Sequence, residues 1–226
     1  MKTVSVYGDS LLKGVSLVGN RYTVCSRKAA AFAQAHGIEL LNRSYFGATV
    51  EKGLQRLNRD IANKAPLGEY TVLEFGGNDC DFDWAQVAAD PAGEHLCKVP
   101  PERFLQLMGA AVAAVRSVGG KPLLTTLPPI DPKRYLDWIC RDGLSRERIL
   151  QWLGDLNAIY RWQEHYATLV RRLSESCRVP LVDLRESFLS RRRMDGLLCD
   201  DGIHPTDAGH ELILAAFARF LQTAQA

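Results

Sequence analysis

Five apolar runs of strand length recur along the chain, at 3–7, 38–42, 70–75, 121–126 and 179–184, and each is separated from the next by enough residues for one or more helices. A strand that is apolar on both sides has to be covered on both faces, and parallel strands need crossover connections of a dozen or more residues. The alternation therefore predicts the α/β class: a central, mostly parallel five-stranded sheet held between two helical layers by right-handed crossovers. Between the runs, Ala29–Ala33 leads to a helix stop at Gly37, and Leu54, Leu57 and Ile61 repeat at helical spacing. An Ala-rich stretch from Phe104 to Val118 ends at Gly119-Gly120, and Thr206 is placed to cap a last helix through Phe220. Ile149, Leu153, Leu156 and Tyr160 read as the start of one long amphipathic pattern.

With 226 residues, 46% of them hydrophobic, and no repeat, low-complexity tract or linker, the expectation is a single domain over 1–226. Twenty-eight basic against 26 acidic residues leave a formal charge of +2, which is no field for recruiting nucleic acid or an anionic membrane surface. Arg191-Arg192-Arg193, the one dense basic run, reads as a solvated face. The first apolar run gives way to Gly8-Asp9 too soon for a signal-peptide core, and no stretch reaches the roughly 18 apolar residues of a spanning helix. These features predict a cytoplasmic protein with neither nucleic acid nor membrane as partner. Six cysteines without a C-x-x-C pair are expected to be free thiols, with no zinc site.

In open sheets of this class, ligands bind beyond the carboxyl ends of the strands. Gly8-Asp9-Ser10-Leu11 follows the first run, Gly47 the second and Gly76-Gly77-Asn78-Asp79 the third, while Asp201-Gly202-Ile203-His204-Pro205 precedes the last helix. A serine hydroxyl becomes a useful nucleophile when a histidine takes its proton and a carboxylate orients that histidine. Each string alone has an ordinary explanation. Ser10 suits a helix cap, Gly47 and Gly76-Gly77-Asn78 suit turns, and Asp201 and Thr206 suit a turn and a cap. Taken in order and at their spacing, the four strings resemble the sequence blocks of the SGNH, or GDSL, hydrolase superfamily, a resemblance that extends from residue 8 to residue 205.

That resemblance implies a flavodoxin-like three-layer α/β/α fold and a serine esterase that needs no cofactor. It assigns Ser10 as nucleophile, His204 as base and then acid, and Asp201 as the carboxylate that orients His204; Asp200 is one residue off the family spacing. The Ser10 and Gly47 backbone N–H groups and the Asn78 amide would form the oxyanion hole. The substrate would be a carboxylic ester of a small molecule, carbohydrate or lipid. The same residues would also serve an acyltransferase or a carbohydrate deacetylase, or survive in a non-catalytic binding module.

Two connections, 80–101 and 128–147, are longer than the scaffold needs and are read as insertions that wall the substrate. Trp84, Tyr135, Trp138 and Trp152 on or near them either line an apolar cleft or fill a satellite core. Asp9 and Asp79 flank the blocks and join Trp84, Tyr135 and Trp138 as candidate substrate contacts, although Asp79 reads equally as a brace for its loop. Asp79, Asp81 and Asp83 resemble the start of a calcium loop, but Trp84 stands where glycine is required and no glutamate follows at the twelfth position, so no metal is expected. The chain has no G-x-S-x-G elbow.

Overall fold

The computed structural model describes residues 2–223. In chain order it runs β1 (Lys2–Gly8), α1 (Ser10–Lys13), β2 (Val15–Val18), β3 (Arg21–Val24), α2 (Ser26–Ala35), β4 (Ile38–Asn42), α3 (Val50–Ala62), β5 (Tyr70–Glu74) and α4 (Trp84–Ala89). It continues with α5 (Pro101–Ser117), β6 (Lys121–Thr125), α6 (Pro132–Cys140), α7 (Arg146–Leu153), α8 (Asn157–Cys177), β7 (Leu181–Val182), α9 (Leu184–Leu189) and α10 (Asp207–Thr223). The five expected runs pair as one parallel sheet in the order β4-β1-β5-β6-β7, giving the three-layer α/β/α fold.

Alternation along each strand divides the core. Tyr7, Leu73 and Leu124 point to one side, where Leu57 of α3, Met108 and Val112 of α5 and Tyr166 of α8 bury them. Val6, Val72 and Leu123 point to the other, where Leu184 and Phe188 of α9 and Leu212 and Ile213 of α10 cover them. Each such side chain contributes about 1.5–3 kcal/mol when fully buried, and burial on both faces is why these strands read as continuous apolar runs. Chain order reverses at β1: the chain crosses to β4 on one flank and returns to β5 on the other. The ends of β4, β1 and β5 therefore open a crevice at a topological switch point.

The structure corrects one reading from the sequence, the single long pattern from Ile149 to Tyr160, and adds elements to two other segments. The segment after Ser10 is a single helical turn, α1, followed by the antiparallel hairpin β2–β3, which joins as a separate two-stranded sheet. The Ile149-to-Tyr160 pattern is two helices, because Gly154 takes φ +77° and stops α7 before α8 begins. The two long connections carry α4 and α6, whose apolar faces pack with α7 and the start of α8 into a third cluster containing Trp84, Val87, Leu136, Ile149 and Ile159. Among the described residues, no helix is long and apolar enough to cross a membrane.

Candidate active site

β1 ends at Gly8, where a side chain would meet the Glu74 carboxylate at 2.7 Å, and the next two residues turn out of the sheet. Asp9 caps α1, its Oδ1 accepting the Leu11 N–H at 2.8 Å, and this fixes the backbone that presents Ser10. From the other end of the chain, the loop before α10 is closed by a bridge between Leu198 and Pro205 and by the Cys199 N–H donating to the His204 carbonyl at 2.8 Å. Gly202 makes this loop possible. It has φ +73°, and a Cβ there would stand 2.5 Å from the Asp131 carbonyl oxygen and 2.7 Å from the Tyr135 nitrogen. The Asp131 N–H in turn donates to the Gly202 carbonyl at 2.8 Å, which ties α6 to the loop.

These two loops meet over the end of β1. His204 Nε2 lies 2.9 Å from Ser10 Oγ, and Nδ1 lies 2.6 Å from Asp201 Oδ2. With Nδ1–H donating to the carboxylate, Nε2 is left to accept the serine hydroxyl hydrogen. Asp201 is fully buried, and its Oδ1 accepts the Ile203 and His204 backbone N–H groups at 3.1 and 3.0 Å. Burial pushes its carboxyl up, but the His204 hydrogen bond and charge outweigh that, and it stays below the usual carboxylate range.

Gly47 and Asn78 reach the same point from β4 and β5. Gly47 takes φ +71°, a conformation that favours glycine even with open space around it. Among the described residues, neither the Ser10 nor the Gly47 backbone N–H has an acceptor. Asn78 Nδ2 donates one hydrogen to Asp9 Oδ2 at 2.9 Å, leaving the second for the crevice. Behind Ser10, the Asp9 N–H donates to Glu74 Oε2 at 3.1 Å. Burial, and then the charge of Asp9, push the Glu74 carboxyl well above the usual carboxylate range.

The cleft around these groups has a volume of about 190 Å³. Asp9 lies at its floor but is 4% exposed, and its oxygens accept from Leu11 and Asn78, so it holds the Asn78 amide in place. Asp79 fits the other reading given for it, a brace for its loop. It is fully buried, accepting the Val50 N–H at 2.8 Å and the Gly76 N–H at 2.9 Å, and burial raises its carboxyl to about 7. The other carboxylates of the calcium-like string are also engaged: Asp81 accepts the Tyr135 hydroxyl at 2.6 Å and Trp84 Nε1 at 2.9 Å, and Asp83 caps α4.

Trp84 and Tyr135 both line the cleft, and Trp84 belongs to the satellite core as well. Trp138 stands outside the cleft lining, with Arg141 over its ring at 3.9 Å and its edge toward Tyr22 at 6.1 Å. Trp152 lies behind the cleft against Phe82 and Trp84. The sequence reading passed over the two rings that flank the histidine: Tyr22 of β3, 4.9 Å from His204, and Phe46, stacked on it at 5.9 Å. Gly19-Asn20 between two alternating runs was the available hairpin signal for Tyr22; Phe46 carries none beyond its place before Gly47.

Comparison with known proteins follows the same geometry. A family model described as the GDSL-like Lipase/Acylhydrolase family matches residues 6–212. The solved lipase/acylhydrolase from Enterococcus faecalis superposes with a TM-score of 0.67 at 21% identity, over 99% of this chain and 97% of that one. An acetylxylan esterase from Geobacillus stearothermophilus superposes with a TM-score of 0.65 at 20% identity, over 96% and 93% of the two chains. The uncharacterized lipoprotein YqeF of Bacillus subtilis (strain 168) is 23% identical over 224 residues, covering 93% of this chain and 85% of the relative.

Proposed function

The chain belongs to the GDSL-like lipase/acylhydrolase family, and on that premise we propose that it is a serine esterase working through an acyl-enzyme on Ser10. The observation that carries this reading is the His204 ring, 2.9 Å from Ser10 Oγ on one side and 2.6 Å from Asp201 on the other. Ser10 Oγ attacks the ester carbonyl carbon as its proton passes to His204 Nε2, and Asp201 steadies the imidazolium. Negative charge gathers on the carbonyl oxygen, facing the Ser10 and Gly47 N–H groups and the free Asn78 amide hydrogen. As the tetrahedral species collapses, the bond to the alcohol oxygen breaks and His204 gives that oxygen its proton. Water then attacks the acyl carbon, loses a proton to His204, and the acid leaves as the proton returns to Ser10 Oγ.

Every proton moved in these steps passes through His204. Ser10→Ala and His204→Ala are each expected to lower turnover of a short-chain aryl ester by about 10³-fold or more. Covalent labelling of Ser10 by an organophosphonate, lost in Ser10→Ala, checks the nucleophile directly. Full turnover in either variant excludes the reading.

A further inference from the structure

A second cavity of about 480 Å³ lies behind the cleft, lined by His95, Pro100, Trp152 and Arg161 and opening where Leu96 is 82% exposed. The two cavities share Phe82, Leu153, Ala158 and Trp162. Leu153 is the last residue of α7 and Ala158 the second of α8, so this wall stands at the helix break created by Gly154. Phe82 reaches it from the connection after β5, its ring 5.9 Å from that of Trp162.

The direction of substrate binding follows from the proton transfers. His204 has to reach the leaving oxygen, so the alcohol lies on the outer side, beside Tyr22 and Phe46. The acyl group is then directed inward, along Phe82, Trp84, Leu127, Ile130 and Ile159. Polar groups on this inner wall are already paired within the protein. Trp84 Nε1 and the Tyr135 hydroxyl donate to Asp81. Trp162 Nε1 donates to the Cys80 carbonyl at 2.9 Å, and Gln163 is held by the Pro128 carbonyl at 2.8 Å and by Arg185 at 2.7 Å. A surface whose donors and acceptors are spent offers a ligand only apolar contact. The cleft volume of 190 Å³ is also below the roughly 300–1,000 Å³ of sites that enclose drug-sized ligands.

Resting on the esterase reading, we propose that Phe82, Leu153, Ala158 and Trp162 form the partition that ends the acyl pocket and sets the longest acyl chain accepted. The substrates are esters of short to medium unbranched acids. The groove behind the partition is the space an alkyl tail enters when the wall is thinned.

The test measures kcat/KM of the full chain on p-nitrophenyl acetate, butyrate, hexanoate, octanoate and decanoate. In the wild-type protein the value peaks at butyrate or hexanoate and falls at least about tenfold by decanoate, the scale on which pocket contacts discriminate methylenes. Leu153→Ala raises the decanoate-to-butyrate ratio by about tenfold or more, and Ala158→Phe moves preference toward acetate by a similar factor. Thermal melts confirm that each variant is folded, and if Leu153→Ala is not, Ala158→Phe decides alone. A wild-type protein that cleaves decanoate as well as butyrate overturns the proposal, as do ratios unchanged in the folded variants. Absence of all ester cleavage together with failure of the phosphonate to label Ser10 removes the esterase reading itself; a labelled, acetate-cleaving enzyme with flat ratios removes only the partition.

Discussion

Asn78 sits in the crevice with one amide hydrogen committed to Asp9 and one free, so its orientation is set before any substrate arrives. Asn78→Ala is expected to lower kcat by about 10²- to 10³-fold with little change in KM, as measured on a short aryl ester, because the lost donor acts on charge that develops in the transition state. Glu74 behaves differently, because burial and the Asp9 charge push its carboxyl toward the uncharged form. Glu74→Gln keeps an acceptor for the Asp9 N–H and should stay near wild-type stability, whereas Glu74→Leu leaves that N–H unpaired at a cost of about 1–3 kcal/mol. Urea denaturation of the two variants separates them. Ser10, Gly47, Asn78, Asp201 and His204 were legible in the sequence because their chemistry tolerates few residue types and their strings recur in order. Tyr22 and Phe46 were not, since an aromatic ring carries no motif and these reach His204 only through the tertiary fold. Asp9 stayed a candidate contact, and Asp79 either a contact or a brace, because sequence cannot tell a carboxylate facing a ligand from one satisfying backbone N–H groups.

Among the elements, β1, β5 and β6 announced themselves as continuous apolar runs because they are buried on both faces. β3 did not, because all four of its residues are exposed and no core pattern marks them. The break between α7 and α8 was hidden for the opposite reason: the apolar spacing continues across Gly154, so periodicity runs on where the backbone does not. The loop before α10 offers the sharpest test at this scale. Gly202→Ala forces a side chain into the backbone of α6 at a positive φ, and loop and helix have to separate. A loss of stability of about 1–3 kcal/mol is expected from the overpacking alone. Turnover should fall by more than melting accounts for, because displacement of the loop moves His204 off Ser10 as well; activity measured well below the melting temperature distinguishes the two effects.

At the scale of the whole molecule, His210 of α10 joins the C-terminal helix to the hairpin that follows the nucleophile. It is 8% exposed, and its Nε2 lies 3.1 Å from the Val15 carbonyl. Burial holds it below the ordinary imidazole range in the folded chain. As pH falls through about 6.5, the unfolded chain takes up a proton here that the folded chain resists, so this contribution to stability is full above that pH and lost below it. His210→Gln removes the titration, and its urea midpoint should fall less than the wild-type midpoint between about pH 7.5 and pH 5; equal falls would exclude His210 as the source. The hydrogen bond between Ser10 and His204 spans 194 positions of sequence. His204 follows all five strands of the sheet in chain order, so during synthesis the whole sheet can assemble before the residue that pairs with Ser10 has been made.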